Sequence, residues 1–134
     1  LTAGIFYGLA TSANYADLAE KYSADFNYEP GTVLVIGGEQ EVTTCLSRAS
    51  INWAGIVSTN PAHLMNDKID GVAVALKGRV PCKVVGPVSK GDLLVTSATP
   101  GYAEAYRDGD NTLAVIGRAL EALPDGLGVI EVKV

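Results

Sequence analysis

Turn-forming residues recur along the chain at roughly 8–12-residue spacing, which is too tight for long helices and suits short strands. Glu29-Pro30-Gly31, Asn60-Pro61, Ser89-Lys90-Gly91-Asp92, Pro100-Gly101, Asp108-Gly109-Asp110-Asn111 and Asp125-Gly126 all read as turns. Between them lie apolar, β-branched runs: TVLVIGG, EVTTCL, WAGIVS, LLVTS, YAEAY and GVIEVKV. GVAVALKGRVPCKVVG reads as two strands around Lys77-Gly78, and AHLMN as one helical turn. TLAVIGRALEAL fits either helix or strand; Gly117 and the β-branched Val115-Ile116 favour a strand with a bulge. In the last strand Ile130, Val132 and Val134 share one face and Val129, Glu131 and Lys133 the other. The expected fold is mainly β: a compact barrel or sandwich of short strands.

The first 22 residues depart from this pattern. Residues 1–13 are small and apolar, and Leu1, Ala3, Ile5, Tyr7 and Leu9 share a face if extended. Together with Phe6 they form an extended apolar tail that must find a sheet edge, in this chain or another. Residues 15–22 read as one short helix. Asn14 stands at its N-cap and Asp17 in the place of the capping-box acid. Tyr15, Leu18, Ala19 and Tyr22 fall on one helical face, and Asp17 and Lys21 form an i,i+4 pair. The expected organisation is a tail over 1–13, forming subunit contacts, and a single β-rich domain over 14–134.

Composition narrows the partners. The chain has 134 residues, enough for one domain, and at 48% hydrophobic it can bury a core. A net charge of −5 without a Lys/Arg cluster argues against nucleic acid and against anionic membrane surfaces. No apolar run reaches the ~18–20 residues of a membrane span, and residues 1–10 lack the basic start of a signal peptide. Only 19% of residues are charged, which suits a surface partly covered by neighbouring subunits. Cys45 and Cys82 make no CxxC and His63 is the sole histidine, so no metal site is expected. Two buried thiols are the simpler reading of the cysteines; a disulfide stays open.

Catalytic patterns are few. GxSxG, the P-loop and GxGxxG are absent. A Ser-His-Asp triad would have to recruit His63 from a loop, and Ser89-Lys90 is explained by its turn. Asp17 and Glu20 are the one acidic pair worth weighing. On a helix they would share a face, where like charge raises one pKa and suits acid/base attack on an amide. Helix capping accounts for the same residues without chemistry. No cofactor is implied.

The strings NYADLAEKY, YEPGTVLVIGG, AGIVSTNPAHLMN, VAVALKGRVPCKVVGPVSKGDLLVTSATPGYA, VIGRALEA and GVIEVKV occur in this order. In combination they resemble the C-terminal domain of tail-fibre and related virion proteins of contractile-tailed phages, those of cyanobacteria above all. The resemblance covers about residues 14–134. More distantly the module is similar to the autoproteolytic C-terminal domain of phage neck-appendage and tail-spike proteins, an acidic peptidase. Asp17-Leu18-Ala19-Glu20 matches that group's Asp-x-Ala-Glu pattern. The resemblance thus implies Asp17 and Glu20 as the residues of that activity, with cleavage near Ser12 to Asn14.

The expectation is a non-enzymatic building block of a phage tail fibre or extracellular filament. Its partner is itself, as a trimer or helical filament, and it belongs to the virion or the extracellular space, where a host surface is a further partner. Leu1, Ile5, Phe6, Tyr7 and Leu9 form the subunit interface. A C-terminal fragment of a longer trimeric fibre is the runner-up. The alternatives in function are an autoproteolytic maturation domain using Asp17 and Glu20, and a glycan-binding module. The last would need exposed aromatics, and Trp53 is expected in the core.

Overall fold

The computed structural model describes residues 17–134, and the apolar tail and the Asn14 cap lie outside them. Ten strands form one continuous sheet: β1 (Asp17–Tyr22), β2 (Val33–Ile36), β3 (Val42–Thr44), β4 (Trp53–Val57), β5 (His63–Met65), β6 (Val72–Val85), β7 (Leu93–Thr96), β8 (Ala103–Ala105), β9 (Gly117–Ala119) and β10 (Leu127–Lys133). The second half closes on itself. β6 pairs with β8, β8 with β7, β7 with β9, β9 with β10 and β10 again with β6, a closed five-stranded barrel. Closure leaves no free edge in that ring.

The 14-residue β6 also serves the first half. Its start lies between β1 and β4, β4 continues to β2, and β2 to β3. The Ser23 carbonyl accepts the amides of Glu41 and Val42, both at 3.1 Å, and Ala24 bridges Val42, so the end of β1 returns to β3. Val80, Cys82, Val84, Leu94, Ala119, Ile130 and Val132 fill the closed barrel. Leu34, Val42, Val57, Val72 and Val74 fill the smaller lobe. A half-buried Arg48 ties loops together: its Nε meets Glu104 at 2.7 Å, its Nη1 and Nη2 meet Asp110 at 2.6 and 2.9 Å.

The expected barrel is present; the expected helix is not. Residues 17–22 form β1, which pairs antiparallel with β6 and parallel with β5. Capping and one i,i+4 pair stabilise a two-turn helix by tenths of a kcal/mol to about 1 kcal/mol, and helices that short are marginal alone. Pairing along both edges satisfies the same backbone groups and buries Ala19 completely. AHLMN contributes β5 rather than a helical turn, because it adds to the outer edge of β1. Lys77-Gly78 does not divide two strands. The chain runs through it as one β6, with Gly78 at φ +118° and a register shift opposite Leu18/Ala19. The inward residues of β6 are Val72 and Val74 before this break and Val80, Cys82 and Val84 after it. TLAVIGRALEAL divides into a 3-10 turn at Thr112–Ala114, capped by the Asn111 side chain, and the short β9. β10 alternates as expected: Ile130 and Val132 are buried while Val129 faces out.

Candidate functional site

Because β1 is a strand, its side chains alternate. Asp17 and Ala19 point inward, and Leu18 and Glu20 do not. A spacing of three therefore puts Asp17 and Glu20 on opposite faces, where they cannot share a proton. The Tyr22 hydroxyl donates to Glu20 Oε1 at 3.2 Å, on the side away from Asp17. The acidic pair expected from helical spacing is not assembled.

Asp17 instead opens a different site. Its backbone lies opposite Gly78 on β6, and its carbonyl accepts the Ala62 amide at 2.8 Å. Ser58 follows the end of β4, held by its amide to the Ala73 carbonyl at 2.8 Å. The two side chains line a cavity of about 210 Å³ with Asn60 of the β4–β5 loop, Arg79 and Pro81 of β6, and Glu131 of β10. Pro81 carries no amide hydrogen, so β6 can donate nothing from that position.

Asp17 is 4% exposed and Ser58 6%. Among the described residues, Asp17 Oδ2 and Ser58 Oγ make no hydrogen bond. An orphaned buried polar atom is costly and uncommon, and two facing one cavity call for an occupant. Burial pushes the Asp17 carboxyl above its ordinary value. A carboxyl raised this way keeps its proton to higher pH than a free aspartate does. It can accept a hydrogen bond as carboxylate or donate one as acid, the property required of an acid/base group. Sequence reasoning found Asp17 for the wrong geometric reason. It missed Ser58, Arg79 and Glu131, which come from three distant strands or their ends and carry no local signal. The string GIVSTNP, which contains Ser58 and Asn60, was the one available pointer.

Other candidates stay apart from this cavity. His63 is exposed on β5, opposite Leu18. Trp53, expected in the core, is half-buried against it, and its Nε1 donates to the Leu113 carbonyl at 2.8 Å. Trp53 also borders a second, apolar pocket of about 170 Å³ with Leu76, Ile116 and Val134. No cluster of His, Cys, Asp and Glu among the described residues can hold a metal ion. Leu1, Ile5, Phe6, Tyr7 and Leu9 lie outside the described residues.

Cys45 and Cys82 are free and buried. The Cys45 thiol donates to the Ser97 and Tyr102 carbonyls, and burial raises the pKa of both thiols. Since the thiolate is the reactive form, neither should react with an aromatic disulfide reagent in the folded protein. Two equivalents per chain are expected in denaturant and close to none without it; one fast equivalent in buffer would show an open thiol.

No family model matches the chain, and no curated protein matches it at a significant level.

Proposed function

We propose that this chain is a structural building block of a phage tail fibre or extracellular filament, assembling through contacts between its own copies. The observation that carries the reading is apolar surface on a closed, well-packed β body. Phe26, Leu46, Ile51, Leu113, Leu127 and Val129 are each more than half exposed, with Leu113 at 70%. Single exposed apolar residues are ordinary, but so many on 118 described residues fit surface reserved for partners. The resemblance to virion fibre domains supports the same reading, with location in the virion or outside the cell and a host surface as a further partner. The tail 1–13 supplies the contact in this proposal. Burying one large apolar side chain is worth roughly 1.5–3 kcal/mol, so Leu1, Ile5, Phe6, Tyr7 and Leu9 can offset much of the ordering cost of about 1–2 kcal/mol per residue. Sedimentation of the full chain should show concentration-dependent oligomers. Deleting residues 1–13 should leave a folded body that no longer assembles, and Ile5→Asp should weaken assembly without unfolding it. An unchanged oligomer after the deletion would refute the tail's part in it.

Asp17 favours a second reading, an autoproteolytic maturation domain. An orphaned, buried carboxyl with a raised pKa is an acid/base group at the junction where the tail meets the body. In this reading Asp17 acts with Ser58 beside it, and Glu20 has no part because it faces away. Intact mass decides between the two. The fibre reading expects a purified precursor to keep its length, with and without Asp17→Asn. Loss of a segment ending near Asn14 that Asp17→Asn prevents would establish the peptidase.

A further inference from the structure

The apolar pocket beside Trp53 sits at the waist between the two lobes. Trp53 and Gly55 of β4, Ala75 and Leu76 of β6, Ile116 and Val134 line it. Its rim continues as exposed apolar surface. The Trp53 indole is bonded to the backbone of Leu113, which is 70% exposed, and the Ile36 amide bonds the Asn52 carbonyl next to Ile51, both isoleucines being 56% exposed. Gly55 lets β4 lie close on β6: a Cβ there would come within 2.7 Å of Val74 Cγ1 and 3.0 Å of the Ala75 carbonyl oxygen.

We propose that this pocket receives the Phe6 side chain of a second copy of the chain. The proposal rests on the assembly reading and names its receptor. Size and polarity select the residue. The pocket is about 170 Å³, and an apolar cavity of about 150 Å³ suffices to bind benzene. Phe6 is the one phenylalanine in the 16 residues ahead of β1, and the neighbouring Tyr7 would carry a hydroxyl into an apolar lining. The assembly reading, with exposed apolar surface continuing from the rim, selects a second copy. Ala75 pairs with Ala19 on one side and Ile56 on the other, so β6 lies between β1, where the tail joins, and β4, which walls the pocket. Asp17 lies opposite Gly78, which accepts the amide of Val134 in the pocket wall at 2.8 Å, so the chain's own tail is the competing occupant and concentration dependence separates the two. Tail of one copy into waist of the next is a heterologous contact, which propagates into a ring or a filament.

Trp53 is the only tryptophan in the chain, so its emission reports on the pocket directly. In the full-length protein, emission should shift to shorter wavelength as concentration rises, in step with mass measured by sedimentation. Phe6→Ala should abolish the shift and weaken association roughly 30-fold, the size of loss a buried aromatic anchor carries. Leu76→Asp should do the same from the receptor side, with Leu113→Asp on the rim as the second variant should the first not fold. Mixing Phe6→Ala with Leu76→Asp should restore pairs, since one keeps its pocket and the other its tail. Association that survives both variants with flat Trp53 emission overturns the proposal and leaves the assembly reading standing. A Phe6-dependent shift that is independent of concentration in a monomer overturns it in favour of the chain's own tail. A chain that is monomeric at every concentration, with no Phe6-dependent emission change, overturns both.

Discussion

Gly71→Ala should destabilise the protein by about 3 kcal/mol, measured as a lowered urea midpoint. Gly71 immediately precedes β6 and runs against the end of β1. A Cβ built on it would lie 2.0 Å from the Tyr22 carbonyl oxygen, 2.7 Å from the Tyr22 carbonyl carbon and 3.1 Å from the Ser23 amide nitrogen. All three are backbone atoms, so no side-chain rotation relieves the overlap and one of the two segments must move. The Tyr22 end of β1 is where Ser23 turns back to bond Glu41 and Val42. A shift there loosens the closure of the smaller lobe and the strand that carries Asp17. An exposed glycine offers the contrast. Nothing lies within 4 Å of a Cβ at Gly109, and its φ of +94° leaves only the backbone cost of alanine. A Gly71→Ala protein as stable as wild type would mean that β1 is not held against β6 in this way.

The same segment shows where the sequence was legible and where it was not. Turns are local, so glycine, proline and aspartate marked most strand ends without tertiary knowledge. β10 was legible residue by residue, because one face meets the barrel interior and the other meets water. β1 was not. Asn14, Asp17 and Lys21 are helix-favouring signals, and what overrules them is two strands supplied 40 to 60 residues later. β6 was misread for a related reason. Lys77-Gly78 has turn composition, yet the chain runs through it as one strand, and the register shift opposite Leu18/Ala19 falls at Leu76. The candidate site inherited the first error. Helical spacing joined Asp17 to Glu20, whereas strand alternation separates them and brings Ser58, Arg79 and Glu131 to Asp17 through long-range pairing.

Asp17→Asn should therefore stabilise the protein at neutral pH, by about 1–2 kcal/mol, the lower part of the range for an orphaned buried group. The sign follows from the direction of the shift. Burial raises the Asp17 pKa in the folded state above its unfolded value near 3.9. Folding with Asp17 protonated is unpenalised below that unfolded value, and the advantage is lost as pH rises through the folded pKa. Asparagine stays neutral throughout, and its amide can donate to Ser58 Oγ, which lacks a partner among the described residues. The variant's lead should be greatest at pH 7, shrink as pH falls through the folded pKa, and be gone below about 4. The comparison must be a difference between variant and wild type at each pH, because other carboxylates respond the opposite way. Asp110, held low by Arg48, and Asp25, held low by the Tyr28 and Thr43 hydroxyls, both lose their contribution in acid, and they do so equally in both proteins. Arg79 and Glu131 line the same cavity. Denaturant unfolding at pH 7 and pH 4 is the measurement. A lead that does not depend on pH would mean that shape, not ionisation, sets it; an Asn variant less stable than wild type at pH 7 would mean that the Asp17 carboxylate has a charged or donor partner.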